Sequence, residues 1–343
     1  MIFFYLIFIL LFIIGIRLSK DNKDYLSKES TTIINGLFVI TIFFSHFRTY
    51  ITNLNTYDNY LITILNFLGQ LMVTSFLFYS GYGIYESIKN KKDYMKSFFI
   101  KRFIPTLVNF MLAICLFILV NIVLGNKYSI ATILLSFTGY TSIGNSNWYM
   151  LAIFILYIFI MILFNEKIKI KNIYKIVIIT ILTCIYIYII TRFKDLYYAD
   201  TILCFPIGML YSYYKDKIEK IVSKKYYLYL IISVLFFIGM YFINKNYSNV
   251  YISNLYAISF ILLLVFISMK FKFKSKIMYF LGTYTFWIYI LQRIPMMLLK
   301  DKFNNYLYLV ICFIITIILS YIMKLLTDKL WKKKGWIKWQ KYQ

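Results

Sequence analysis

Apolar runs long enough to cross a hydrocarbon core of about 30 Å follow one another down this chain, and no other feature limits its fold so tightly. Eleven are recognised, at approximately 2–16, 31–47, 62–86, 103–125, 146–164, 173–191, 199–214, 226–243, 251–269, 279–299 and 305–325. A composition of 62% hydrophobic and 21% aromatic residues, with a mean hydropathy of +0.73, lies far outside the range of soluble domains. The expected fold is therefore all-α, a polytopic integral membrane helix bundle of about 10 to 11 transmembrane helices. The stretch 130–140 reads as a short re-entrant or interfacial piece between spans. The first run, "MIFFYLIFILLFIIGI", has no charged start and no small-residue cleavage site, so it reads as a retained helix.

A net charge of +25 raises the question of nucleic acid, and the placement of the charges answers it. With each cation counted in the connection it flanks, 30 of the 38 Lys and Arg fall after spans one, three, five, seven and nine and in the C-terminal tail "DKLWKKKGWIKWQKYQ". Cationic short loops stay in the cytoplasm, so the N-terminus is expected outside and the C-terminus inside. The basic charge is thus a topology signal, with anionic lipids at the cytoplasmic face as its partner and no role for nucleic acid. No soluble domain interrupts the spans. Residues 1–30 form an extra N-terminal helix and loop, 31–325 one membrane domain, and 326–343 a basic tail.

That orientation puts His46, the only histidine, near the outer end of the second span. Asn35 lies eleven residues earlier. Eleven helical steps return a side chain to within about 20° of the same face, roughly 16 Å along the axis. A polar stripe of this kind cannot face lipid cheaply and is expected to face the bundle interior or a water-filled cavity. A bland alternative exists for a single histidine near a helix end, namely an interfacial residue bonded to a loop carbonyl. The four cysteines, Cys115, Cys184, Cys204 and Cys312, lie in apolar spans without CxxC spacing or a partner histidine, so they read as small core residues and no metal is expected.

Other segments carry chemistry in outline. In "FLFYSGYGIYESI", Gly81 and Gly83 permit close helix contact. Lys101, Arg102 and Pro105 stand where a basic loop enters the fourth span, and a guanidinium there suits either phosphate binding or ordinary anchoring at the interface. Trp148 and Tyr149 open span five as belt aromatics or a sugar platform. "CFPIGMLYS" follows in span seven, and "LGTYTFWIYILQRIP" forms span ten, ending on Gln292, Arg293 and Pro295.

In this order, these segments resemble acyltransferase family three, the multi-spanning bacterial enzymes that O-acylate surface polysaccharides. The family's outward helix carries a basic residue, ten intervening residues and a His; here His46 matches the His and Asn35 stands at the basic position. The "FFxxSGY"-like segment is matched by Phe78, Ser80, Gly81 and Tyr82, and "RxxP" by Arg102 and Pro105. "WFL" is matched by Trp148, Tyr149 and Leu151, and "FxxG" by Phe205 and Gly208. "SYxxYLxH" is matched by Tyr284 or Thr285, Tyr289 and Leu291, with Gln292 where many members have His. The resemblance covers about residues 30 to 325.

It implies an O-acetyltransferase or related enzyme of a bacterial plasma membrane. Acetyl-CoA or another acyl-CoA would be the donor, and a glycan or lipid-linked sugar the acceptor. His46 would be the general base or, alternatively, an acylated intermediate. Of the few outward acids, Asp58, Asp195, Asp200 and Asp301, one would orient the imidazole, with Asp195 or Asp200 expected. Lys101 and Arg102 would hold CoA phosphates, and Trp148, Tyr149, Tyr289 and Gln292 would line the acceptor site. Asn35 and Gln292 depart from the pattern, removing a cation and a titratable group. The competing reading is a polysaccharide exporter, flippase or polymerase without acyl transfer. Its usual marks, a large Arg-bearing outer loop or a cation-lined core, are missing from this sequence.

Overall fold

The computed structural model describes residues 1–19, 22–51 and 55–333; the tail beyond 333 lies outside the described residues. The chain is helical nearly throughout. The first helices are α1 (Ile2–Ile13), α2 (Lys28–Phe47), α3 (Thr56–Leu68) and α4 (Leu71–Asn90), then α5 (Tyr94–Phe98) and α6 (Ile104–Val123). After the short α7 (Ile130–Ser136) come α8 (Trp148–Leu163), α9 (Asn172–Ile190), α10 (Cys204–Lys224), α11 (Tyr226–Asn246) and α12 (Val250–Ser268). The last four are α13 (Lys276–Thr283), α14 (Thr285–Leu291), α15 (Arg293–Leu299) and α16 (Asn305–Lys333).

Seven helical segments among the described residues are long and apolar enough to cross a membrane: Lys28–Tyr50, Thr56–Asn90, Tyr94–Val123, Asn172–Ile190, Tyr226–Asn246, Val250–Ser268 and Asn305–Lys332. Three shorter apolar helices, Ile2–Ile13, Trp148–Leu163 and Thr285–Leu299, occupy further expected spans. Helix α10 does so with an apolar first half and a charged second half. Large side chains on α9, α11 and α16, such as Ile181, Leu235 and Ile318, are exposed, as a lipid-facing surface requires. Cys115 is also exposed, so only Cys204 and Cys312 fit the expectation of buried core residues.

Lipid is as apolar as leucine, so close backbone approach rather than hydrophobic burial holds such helices together. Two reciprocal glycine contacts do this. A Cβ on Gly81 of α4 would meet Phe205 O of α10 at 2.1 Å, and one on Gly208 of α10 would meet Phe78 O of α4 at 2.2 Å. Likewise, a Cβ on Gly36 of α2 would meet Met278 O of α13 at 2.0 Å, and one on Gly282 would meet Thr32 O at 1.9 Å. Gly83, expected from sequence to serve close contact, has open space beside it.

Helix α2 starts cleanly because Ser27 caps it, its side chain accepting from Ser30 N. Pro105 offers no N–H to the carbonyl four residues back, and the backbone absorbs this in a π turn over Phe99–Phe103 before α6. Span ten is not one helix. It breaks at Tyr284 and again at Gln292, where Pro295 cannot bond the Leu291 carbonyl. A two-stranded antiparallel ribbon, β1 (Ile16–Leu18) with β2 (Phe271–Phe273), ties the exit of α1 to the α12–α13 connection. At the opposite end, the Met1 ammonium and the buried Asp58 carboxylate pair at 2.8 Å.

Candidate active site

Two cavities open into the bundle from its two ends, and Tyr289 of the broken span lines both. The larger, about 430 Å³, begins among the Lys-rich helix ends at Lys101, Arg102 and Lys324 and reaches inward to Asn35 and Tyr149. The smaller, about 160 Å³, is lined by Ser45, His46, Arg48, Gln70 and Trp148. The Tyr149 and Tyr289 rings meet edge to face at 5.6 Å, and the His46 ring lies 6.4 Å from that of Tyr289. Asn35 and His46 thus share a helix face but open into different chambers. The polar stripe expected from sequence is interrupted by aromatic side chains.

In the larger chamber, Arg102 Nε donates to the Tyr157 hydroxyl at 3.1 Å. No acidic side chain pairs with Arg102 among the described residues, which leaves the outer guanidinium nitrogens for a ligand anion. Arg102 also lines an adjoining cavity of about 420 Å³ with Lys28 and Lys91, so three cations surround this approach. Lys101 lines the larger chamber as well. Asn35 Oδ1 accepts from Ser75 Oγ at 3.1 Å, so the residue standing where the family has a cation makes a neutral contact.

Behind the wall of the smaller chamber, the buried Gln292 places Nε2 2.9 Å from His46 Nδ1 and 3.0 Å from the backbone carbonyl of Tyr289. A carbonyl oxygen only accepts, so the group facing both must be the amide NH₂. Gln292 therefore donates to Nδ1, and the neutral ring carries its proton on Nε2. Gln292 Oε1 is buried and has no partner. The helix break at Gln292 is what brings this side chain under the imidazole.

Neither expected carboxylate orients His46. Asp195 is exposed at the start of a short turn, beside Tyr197. Asp200 lines a separate cavity behind the wall formed by Leu68, Gly69 and Gln70. The side chain that meets the imidazole is an amide instead of an acid. Trp148 is buried and Tyr149 half-buried, both on cavity walls, instead of forming an exposed aromatic belt.

Arg293, at the end of span ten, carries no site signal of its own in the sequence. Arg293 and Arg48 both lie within electrostatic reach of His46, and Arg293 Nε is buried without a partner. Arg48 donates through Nη1 to Asn66 Oδ1. The signal available was its place between Gln292 and Pro295, at a helix break within an apolar span.

A polytopic α-helical membrane protein in which a cation-lined chamber and a histidine chamber meet at one tyrosine is suited to group transfer between two compartments. The model of the acyltransferase domain of acyltransferase family three matches residues 32–325, most of the chain, and the chain belongs to that family. It is an acyltransferase acting on groups other than amino-acyl groups. Comparison with curated proteins and with solved structures gave no match. The family match decides against the exporter and polymerase readings as the class of this protein.

Proposed function

We propose that the protein moves an acyl group, acetyl by default, from cytoplasmic acyl-CoA to a hydroxyl of a cell-surface or exported glycan. The observation that carries this reading is Tyr289, the one side chain among the described residues on the walls of both the Arg102 chamber and the His46 chamber. The Lys-rich chamber suits a polyanionic donor, with Arg102 and Lys101 against CoA phosphates and the thioester carried inward past Asn35. The acceptor hydroxyl enters the His46 chamber from the outer side.

Chemically, the hydroxyl oxygen attacks the thioester carbonyl, His46 takes the hydroxyl proton, and the CoA thiolate leaves. The ring as held by Gln292 carries its proton on Nε2 and is a donor to a developing oxyanion. Turning the Gln292 amide brings the unpartnered Oε1 to an Nδ1–H and frees Nε2 as the base. The turn costs the bond to the Tyr289 carbonyl. Asn35, although neutral, still donates to a carbonyl oxygen in the donor chamber.

The test is acetate on purified surface polysaccharide, read by proton NMR from cells with the wild-type protein, with His46→Ala, or with no copy. Acetyl signals from the wild-type protein alone are expected, since losing the base costs about 10²- to 10⁴-fold. Unchanged acetylation in the cells without a copy would overturn the reading. The Arg102→Ala substitution is expected to raise KM for acyl-CoA about 10- to 100-fold, the value of a charge-assisted bond, in a radiolabelled transfer assay.

A further inference from the structure

The turn between α9 and α10 sets Asp200 and Thr201 on the wall of a further cavity, about 440 Å³, which no step above uses. Two buried polar atoms there, Asp200 Oδ1 and the Tyr256 hydroxyl, close no hydrogen bond, and the Thr201 hydroxyl turns only toward the Asp200 carboxyl. Buried polar groups are nearly always satisfied, and two orphans around one space point to a ligand that satisfies them. Phe67, Tyr241 and Tyr256 supply ring surface, with the Phe67 and Tyr241 centroids 5.2 Å apart. Asn244 and Gln70 add amides. Carboxyl, amide and hydroxyl groups set among aromatic rings suit a sugar ring, with its polar rim and apolar C–H face.

The cavity adjoins the site of chemistry. Leu68, Gly69 and Gln70, at the turn where α3 gives way to α4, line both it and the His46 chamber. Asn66, on the wall of this cavity, accepts the hydrogen bond from Arg48 of the His46 chamber.

We propose that this cavity is a second acceptor subsite, holding the sugar unit next to the one acylated, so that the acceptor is a glycan of at least two units. The proposal rests on the glycan O-acyltransferase reading of the His46 chamber.

The test uses the full-length protein in nanodiscs, where both faces are open, with radiolabelled acetyl-CoA. One-unit and two-unit oligosaccharides cut from the host's de-acetylated surface glycan serve as acceptors. The wild-type protein is expected to show a KM about tenfold lower for the two-unit acceptor, the size of one well-made set of polar contacts. The Asp200→Asn and Tyr256→Phe substitutions each bring the two-unit KM up towards the one-unit value. Neither variant should melt below the wild-type protein, because each alters a polar group that has an unpartnered atom. An advantage for two units that is missing from the wild-type protein, or that survives in both variants, overturns the subsite alone. Absence of transfer to either acceptor by the wild-type protein overturns the acyl-transfer reading, and the subsite falls with it.

Discussion

His46 and Gln292 stand 246 residues apart in sequence and 2.9 Å apart in space. That contact defines what the imidazole can do. An amide can turn to donate or accept, whereas a thioether can do neither well, so Gln292→Met is expected to lower kcat about 10- to 100-fold with little change in KM for acyl-CoA. Gln292→Glu, which accepts from Nδ1–H and favours the base form of the ring, should retain transfer. Steady-state kinetics in nanodiscs check both; equal activity of the Met variant and the wild-type protein would remove Gln292 from the reaction. Asp200 lies in the turn before α10, since the structure starts the helix of span seven at Cys204, and it gives a separate signature. Burial pushes its carboxyl from the ordinary 3.8 up to about 7, against a weaker opposing pull from its own backbone amide and from Thr201. Its folded pKa exceeds the unfolded one, so the folded protein holds a proton that the unfolded chain releases. Stability then falls as pH rises from about 4 to about 7, by at most about 1.4 kcal/mol per pH unit. Melting curves over this range should show the wild-type protein losing stability relative to Asp200→Asn; parallel curves would contradict the shift. From sequence, His46 is legible because it is the sole histidine at the end of an apolar run. Gln292 is reached only through the family resemblance, as part of the acceptor site, and its contact with His46 is not legible, because helical spacing speaks only of neighbours on the same helix.

At the scale of elements, the close pairs α4–α10 and α2–α13 depend on glycine where any side chain would strike backbone. Gly81→Ala and Gly282→Ala are each expected to cost about 1–3 kcal/mol, the usual range for overpacking. Gly83→Ala should be neutral or slightly stabilising, since nothing lies beside it and alanine favours helix. Thermal unfolding of the three variants in one detergent checks this, and equal loss at Gly81 and Gly83 would contradict it. Hydropathy reveals that a helix is apolar but not which of its glycines meets a partner, so Gly81 and Gly83 looked alike in the sequence. The same limit applies to span ten. Its apolar run reads as a single crossing over 279–299, and Pro295 marks one bend. The break at Tyr284 carries no proline, so the sequence does not mark it. Those breaks bring Tyr289 to the walls of both chambers and Gln292 to the imidazole of His46.

For the whole molecule, the apolar runs and the uneven placement of Lys and Arg give the bundle and an expected orientation, with the donor chamber facing the cytoplasm. In a background with the four cysteines replaced by Ala, a thiol at Lys127→Cys should react with an impermeant maleimide on intact cells. One at Lys217→Cys should react only after permeabilisation; the reverse pattern would invert the bundle and exchange the roles of the two chambers. The meeting of those chambers at Tyr289, with His46 on one side and Arg102 on the other, is the centre of the functional reading. The most direct measurement is made in proteoliposomes sorted for orientation, with radiolabelled acetyl-CoA on the Lys-rich side and de-acetylated surface glycan only on the His46 side. Label appearing on the glycan with the wild-type protein, and falling to background with His46→Ala, is the expected result. Label that stays in CoA with the wild-type protein, or that reaches the glycan equally well with His46→Ala, would contradict transfer through these two chambers.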